Sequence, residues 1–333
     1  MKPTNAVNDA VKPIFVFGYS RSGTKFMCNL LEKATKGKIS HLGELHYFGR
    51  LSVSPQDTIG SLRQAEELIV KLSKQYIKRM DCPYSSAQEI QEVVGDVLVK
   101  NQNIKFKYQV LSIFIKALQD DLQALRLCDG TPRNSYYIEE ILTVFPEARL
   151  IFMLRDPRDC IFSQKRKPFQ VWDRGGKAEA FRLFFNYNPI LMAKFWRSSV
   201  KNLMKYVGDD RVHLVKYEEL LSESAKTLNS LADFLSIPEE DLSEFSGTIK
   251  VNNSRKFVEG LSRGEISLIE KVGGEEMKSM GYDSVVTQPL GLGLGFSYFF
   301  WLIRLVAFSP FVYILNLSKF FNAAHEIKKR IMS

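Results

Sequence analysis

Cysteine and histidine are scarce in this chain, with four of each among 333 residues. Cys28, Cys82, Cys128 and Cys160 show neither metal-ligand spacing nor the density of a disulfide scaffold, so buried free thiols in a reducing compartment are expected. No convincing metal-binding constellation is present, and no resident metal is expected. Internal repeats and low-complexity tracts are missing as well. A composition of 45% hydrophobic and 25% charged residues excludes disorder and collagen-like repetition. The opening MKPTNAVNDAVK lacks the apolar run of a signal peptide or N-terminal anchor, so nothing there is expected to send the chain to a secretory compartment. Acidic residues are the minority charge: 37 Asp and Glu against 46 Lys and Arg leave +9. That excess points to anionic partners, namely nucleic acid, a membrane surface, or phosphate and sulfate groups. With no groove-reading motif and no sustained basic–aromatic stripe, nucleic acid is not expected among them.

What is present is an alternation of strands and helices. Apolar runs at 14–17 (IFVF), 39–42, 125–128, 149–154 (RLIFML) and 212–217 (VHLVKY) read as strands. Helical spacing covers 25–33, 139–145, 177–207 and 224–235. The alternation predicts an α/β fold on a central parallel sheet of about five strands. Between 56 and 125 no strand pattern occurs. There Leu62, Ala65, Ile69, Leu72, Tyr76 and Met80 recur at helical spacing, and 87–98 and 108–122 are helical too. This predicts a helical insertion over the strand ends, where α/β proteins place ligands. Plain packing is the other reading of it.

The loop Gly18-Tyr-Ser-Arg-Ser-Gly23-Thr24-Lys25 joins the first strand to the first helix. Backbone N–H groups and a helix N-terminus converge on an anion in such a loop. It shares the glycine spacing of a Walker A loop, but Thr-Lys follows Gly23 where Lys-Thr or Lys-Ser belongs. A second run, 145–163, carries Arg155 at the end of a strand and Ser163 eight residues later. A third, Val215-Lys-Tyr217-Glu218-Glu-Leu220, precedes a helix ending Phe234-Leu235, and Gly281-Tyr282 comes last.

Taken in order, these four elements resemble the PAPS-dependent sulfotransferases, PAPS being 3′-phosphoadenosine 5′-phosphosulfate. With Arg21 in the loop, the resemblance is to bacterial-type and tyrosylprotein-type members. It implies a three-layer P-loop-like fold and a domain over 1–285, with the helical insertion at about 56–125. It implies donor-binding roles for Arg21, Ser22, Gly23, Thr24 and Lys25 on the 5′-phosphosulfate and for Arg155 and Ser163 on the 3′-phosphate. Tyr217 would lie beside the nucleotide, and Ser254, in a late loop at 252–256, would close over it. Arg21 and Lys25 would stabilise charge on the leaving oxygens, although Lys25 could equally face solvent. Glu44, in Leu42-Gly43-Glu44-Leu45-His46, matches the family's Gly-Glu and is the candidate base, with His46 and then His41 behind it. One departure stands out: Cys128-Asp129-Gly130-Thr131-Pro132 has Gly130 where relatives carry Lys, and Lys25 and Arg133 are the candidate substitutes.

The expected activity is transfer of a sulfuryl group from PAPS to a hydroxyl or amine on a carbohydrate, lipid or protein, with no metal. The alternatives are a P-loop kinase or NTPase, with Asp156 as its acid, and an inactive membrane-surface binding protein of the same fold. Finally, 290–317 carries one charge, Arg304, among dense aromatics, and Lys328-Lys329-Arg330 follows. An apolar helical C-terminal tail over 286–333 is expected from this. It would make the protein cytoplasmic and peripherally or monotopically membrane-associated through that tail, with a true membrane span and burial in a core or dimer as the other readings.

Overall fold

The run Ile14–Gly18 forms β1, and every residue of it is buried, as befits a parallel strand flanked on both sides. The other strands are β2 (Ile39–His41), β3 (Arg126–Asp129), β4 (Arg149–Leu154) and β5 (Val212–Lys216). The helices, in chain order, begin with α1 (Thr24–Ala34), α2 (Leu62–Tyr76), α3 (Ala87–Lys100), α4 (Lys107–Asp121) and α5 (Ile138–Val144). Next come α6 (Pro157–Asp173), α7 (Lys177–Phe185), α8 (Pro189–Met204), α9 (Tyr217–Ser222) and α10 (Ser224–Leu235). The last are α11 (Glu239–Ser243), α12 (Phe257–Gly260) and α13 (Arg263–Ser279). This computed structural model describes residues 11–249 except Met80 and Gln102, then 255–286, and Phe299, Trp301 and Ile303.

The described residues form two compact units. The first runs to Gly18, resumes over Gly23–Met153, and resumes again from Tyr206. Its sheet has the order β2-β3-β1-β4-β5, and β1 pairs in parallel with β3 and β4, as β2 does with β3. One face of β1 buries Ile14 and Val16 with Met27 and Leu31 of α1 and Leu228 and Leu231 of α10. The other turns Phe15 toward Phe48 and Phe145, and Phe17 toward Phe152. The predicted helical insertion is present as α2, α3 and α4. Ser61 and Ser86 cap the first two by accepting from the amides of Gln64 and Glu89.

The second unit holds Tyr19–Ser22, Leu154–Lys205 and the described residues from Arg255 onward. Its centre is the buried Arg158, whose guanidinium donates to Asp156, to Glu270 of α13 (2.6 Å) and to the Asp283 carbonyl (2.9 Å). It also lies 4.6 Å from the Phe257 ring centroid. The single helix expected over 177–207 is two helices. The residue before a proline disfavours helical backbone, and Asn188, preceding Pro189, instead caps α8 by accepting from Ile190 and Leu191.

The expected apolar helical C-terminal tail is corrected: among the described residues no helix is long and apolar enough to cross a membrane. Arg304 and Pro310 interrupt the apolar run in the sequence itself. Most of 286–333 lies outside the described residues. Trp301, which does not, sets its ring 5.3 Å from that of Tyr187, and its carbonyl accepts from Asn188 Nδ2 at 3.0 Å. Its part of the apolar composition therefore serves packing within the second unit.

A Cβ on Gly18 would lie 2.2 Å from the Met153 carbonyl oxygen, backbone against backbone. Gly18→Ala should therefore destabilise the protein by about 1–3 kcal/mol, read as a lowered midpoint in urea denaturation.

Candidate active site

In the first unit, β1 ends at Gly18 and α1 starts after Gly23, which takes φ 101° and offers no side-chain cap. The first amides of a helix have no intrahelical partner, so an uncapped N-terminus is suited to an anion. Thr24 is buried and Lys25 is exposed on the first turn. Tyr217, at the start of α9, stands against this end of the loop. A Cβ on Gly23 would come within 2.7 Å of its ring, so glycine is required here for contact as well as conformation. Phe26 meets the same ring edge-on at 6.4 Å.

The tip of the loop, Tyr19–Ser22, belongs to the second unit. Arg21 sits there with φ 74°, a left-handed conformation unusual for a residue with a Cβ and common at functional sites. Its Nε donates to Ser163 Oγ at 2.9 Å, and its carbonyl accepts from Arg155 at 3.3 Å. Three residues that the sequence assigned to the donor, Arg21 to the 5′-phosphosulfate and Arg155 and Ser163 to the 3′-phosphate, are thus brought together across separations of 142 and 134 positions. Trp196 Nε1 donates to the Arg155 carbonyl at 2.9 Å and fixes that backbone. Ser22 points inward, with Oγ 3.6 Å from Cys160 Sγ and its amide closing a turn onto the Tyr19 carbonyl. It shapes the loop. Ser254 lies outside the described residues. Immediately after it, buried Asp159 accepts from the amides of Arg255 (2.8 Å) and Phe257 (3.1 Å). Burial pushes the Asp159 carboxyl above its usual range, against the opposing pull of Arg155.

Glu44 follows β2 in the first unit, half exposed, with Oε2 3.2 Å from His46 Nε2. The backbone around it is clamped by a residue the sequence did not flag, Asp129 at the end of β3. One oxygen of Asp129 accepts from the amides of Leu45 (3.3 Å) and Thr131 (3.1 Å) and from Thr131 Oγ1 (2.6 Å). The other accepts from Asn134 Nδ2 at 3.1 Å, while Thr131 Oγ1 accepts from the amide of His46 at 3.1 Å. Burial raises the Asp129 pKa, with these hydrogen bonds working against it. No spacing rule signals such a residue; its nearness to the Gly130 departure was the only sequence clue.

His41, the third candidate base, is buried. Its Nδ1 accepts from the Gly43 amide at 3.1 Å. Burial, then the charge of Arg79, brings its pKa down to about 4, and Lys25 contributes to the lowering. A group so weakly basic and so occupied is a structural element. Gly130 is buried too, and a Cβ there would lie 2.8 Å from Cys28 Sγ. Asp156, the acid of the kinase alternative, is held by the Arg158 guanidinium at 2.7 Å. Among the described residues no group of three or more His, Cys, Asp or Glu side chains could hold a metal ion. All four cysteines are free; Cys82 is only partly buried, the other three fully.

A model of the sulfotransferase family matches residues 13–241, more than half of the chain. Among solved structures, the sulfotransferase domain of the curacin biosynthetic pathway is 19% identical with a TM-score of 0.45, over 86% of this chain and 96% of that one. The sulfotransferase domain of the Synechococcus PCC 7002 olefin synthase is 19% identical with a TM-score of 0.46, over 89% and 96%. A sulfotransferase from Mycobacterium avium is 16% identical with a TM-score of 0.47, over 83% and 79%. None of the curated proteins matches.

Asp129→Ala strands four donors in a dry interior and should cost about 2–4 kcal/mol in urea denaturation. Asp129→Asn, which keeps an acceptor for the two amides, should cost less than half of that.

Proposed function

The chain belongs to the sulfotransferase family, and on that premise we propose that it moves a sulfuryl group from PAPS to a hydroxyl, or an amine, and releases PAP. The carbohydrate, lipid or protein that bears the acceptor is left open by the residues. One observation carries the reading. Arg21, Arg155 and Ser163 put two guanidinium groups and a hydroxyl together at the first turns of α6. Forked guanidinium groups make paired, charge-assisted bonds to phosphate and sulfate oxygens. Arg21 in the loop, where Lys is usual in cytosolic small-molecule enzymes, supports placement near the bacterial-type and tyrosylprotein-type members.

In this proposal Arg155 and Ser163 hold the 3′-phosphate. The amides of Gly23, Thr24 and Lys25 take the 5′-phosphosulfate, in a loop shaped by Ser22. Tyr217 packs beside the nucleotide, and Ser254 completes the set. The acceptor oxygen attacks sulfur in line with the bridging oxygen. Its proton passes to the Glu44 carboxylate, the new S–O bond forms, and the electrons of the broken bond stay on the 5′-phosphate. Arg21 and Lys25 stabilise the charge that gathers there, the same positioning and electrostatic work that phosphoryl transfer asks of a protein. His46 Nε2, 3.2 Å from Glu44, holds the base in place.

Two experiments test this. In calorimetric titration PAP should bind the wild type, and Arg155→Ala should weaken binding roughly 100-fold; a preference for Mg-ATP over PAP would sink the reading. Glu44→Gln should bind PAP within twofold of wild type while labelled-sulfate transfer from PAPS to a panel of hydroxyl acceptors drops about 100-fold or more. Undiminished transfer would remove Glu44 as the base.

A further inference from the structure

In the second unit, α6 and α7 form a hairpin joined through Gly175 and Gly176, and its outer face is aromatic. Phe169 (62% exposed), Trp172 (45%), Phe181 (53%) and Phe184 (43%) present large rings to solvent. Trp172, Phe181 and Phe184 join one cluster through Phe185 rather than scatter. Trp172 meets Phe181 edge-on at 5.6 Å, Phe181 stacks on Phe185 at 6.4 Å, and Phe184 meets Phe185 edge-on at 5.6 Å. Isolated exposed apolar residues need no explanation, but a contiguous cluster of four large rings does.

Charge indicates what covers this face. Between Lys165 and Arg182 the sequence holds six basic and two acidic side chains. Of the two acids, Glu179 is paired with Arg182 at 2.5 Å. Arg174 and Lys177 flank the tip, and Lys177 Nζ lies 5.7 Å from the Trp172 ring centroid. Trp and Phe rings beside Lys and Arg at one hairpin match the boundary between acyl chains and anionic headgroups. The tip also lies about 15 Å along α6 from Ser163, at 1.5 Å per residue.

We propose that the α6–α7 hairpin docks on an anionic lipid surface, its rings entering the interface and Arg174 and Lys177 meeting headgroup phosphates. This contact does not rest on the sulfuryl-transfer reading. The test is co-flotation of the full chain with phosphatidylcholine vesicles, with and without 30 mol% phosphatidylglycerol. Partitioning should rise at least tenfold with the anionic lipid. It should fall about tenfold in Trp172→Ala/Phe181→Ala and by a similar factor in the charge reversal Arg174→Glu/Lys177→Glu, each with an unchanged melting temperature. The charge reversal keeps the test alive if the aromatic variant folds poorly. Absence of binding to anionic vesicles, or equal binding by the charge-reversed chain, overturns the proposal. A concentration-dependent dimer in sedimentation that the aromatic variant abolishes, without vesicle binding, would assign the face to a second copy instead.

Discussion

The contact between Gly18 and the backbone of Met153 governs where this chain can place chemistry. With no Cβ in the way, β1 and β4 pair in parallel through to Gly18, in register from Ile14 and Arg149 to Gly18 and Met153. Two chain exits are therefore adjacent. One leads into the loop that carries Arg21, the other into Arg155 and α6. On the far side of β1, β3 ends at Asp129, and beyond it β2 runs toward Glu44. Tyr217 follows β5. Within the first unit the candidate residues Glu44 and Tyr217 thus follow carboxyl ends of strands, where open α/β sheets place ligands.

Buried acids organise the loops that leave those ends. Asp129 gathers the amides of Leu45 and Thr131, and Asp159 gathers those of Arg255 and Phe257. Glu270 receives the Val285 amide at 3.0 Å, and Glu32 receives the His41 amide at 3.1 Å together with the Ser40 hydroxyl. A carboxylate has four lone-pair sites and suits backbone that must turn without forming regular structure. At Glu32, burial works to raise the pKa, but the Arg79 guanidinium and the bonds from Ser40 and His41 together outweigh it, so the group is held below its usual range. At Asp129 and Asp159 burial wins. Deeply buried carboxyls are therefore committed to architecture, while Glu44, the proposed base, is half exposed beside His46.

How much of this was legible depends on the kind of signal. Buried strands are short apolar runs, and 149–154 is read to the residue, as is the helix at 224–235. Helices with interrupted or polar faces are harder. The sequence gives no helical pattern for α6, where Arg, Lys, Gln and Asp dilute the apolar spacing, or for α13, which carries Gly273-Gly274 and departs from helical backbone at Gly274. The break between α7 and α8 turns on Asn188-Pro189, a local rule that the long periodic stretch at 177–207 obscured. Arg21, Arg155 and Ser163, which the structure brings together, were singled out because their order and spacing match a family. Asp129 was missed because its role is to receive amides from elsewhere, and no periodicity records that.

The Gly130 departure changes meaning once Cys28 is in place. A side chain at 130 would begin 2.8 Å from Cys28 Sγ, so a lysine there is excluded by packing as long as that thiol fills the space. Cys28 lies on α1 three residues after Lys25, and residues at that spacing share a helix face. Lys25 itself is exposed, and its charge is felt at His41, two residues before Gly43. In the proposed reaction this relocates a cation from the end of β3 to the first turn of α1, beside the amides that take the phosphosulfate. Arg133, three residues further along the chain from Gly130, lies in a short helical turn led by Pro132. In the proposed reaction Lys25 is thus the cation offered in place of a lysine at 130, with Arg133 as the second candidate.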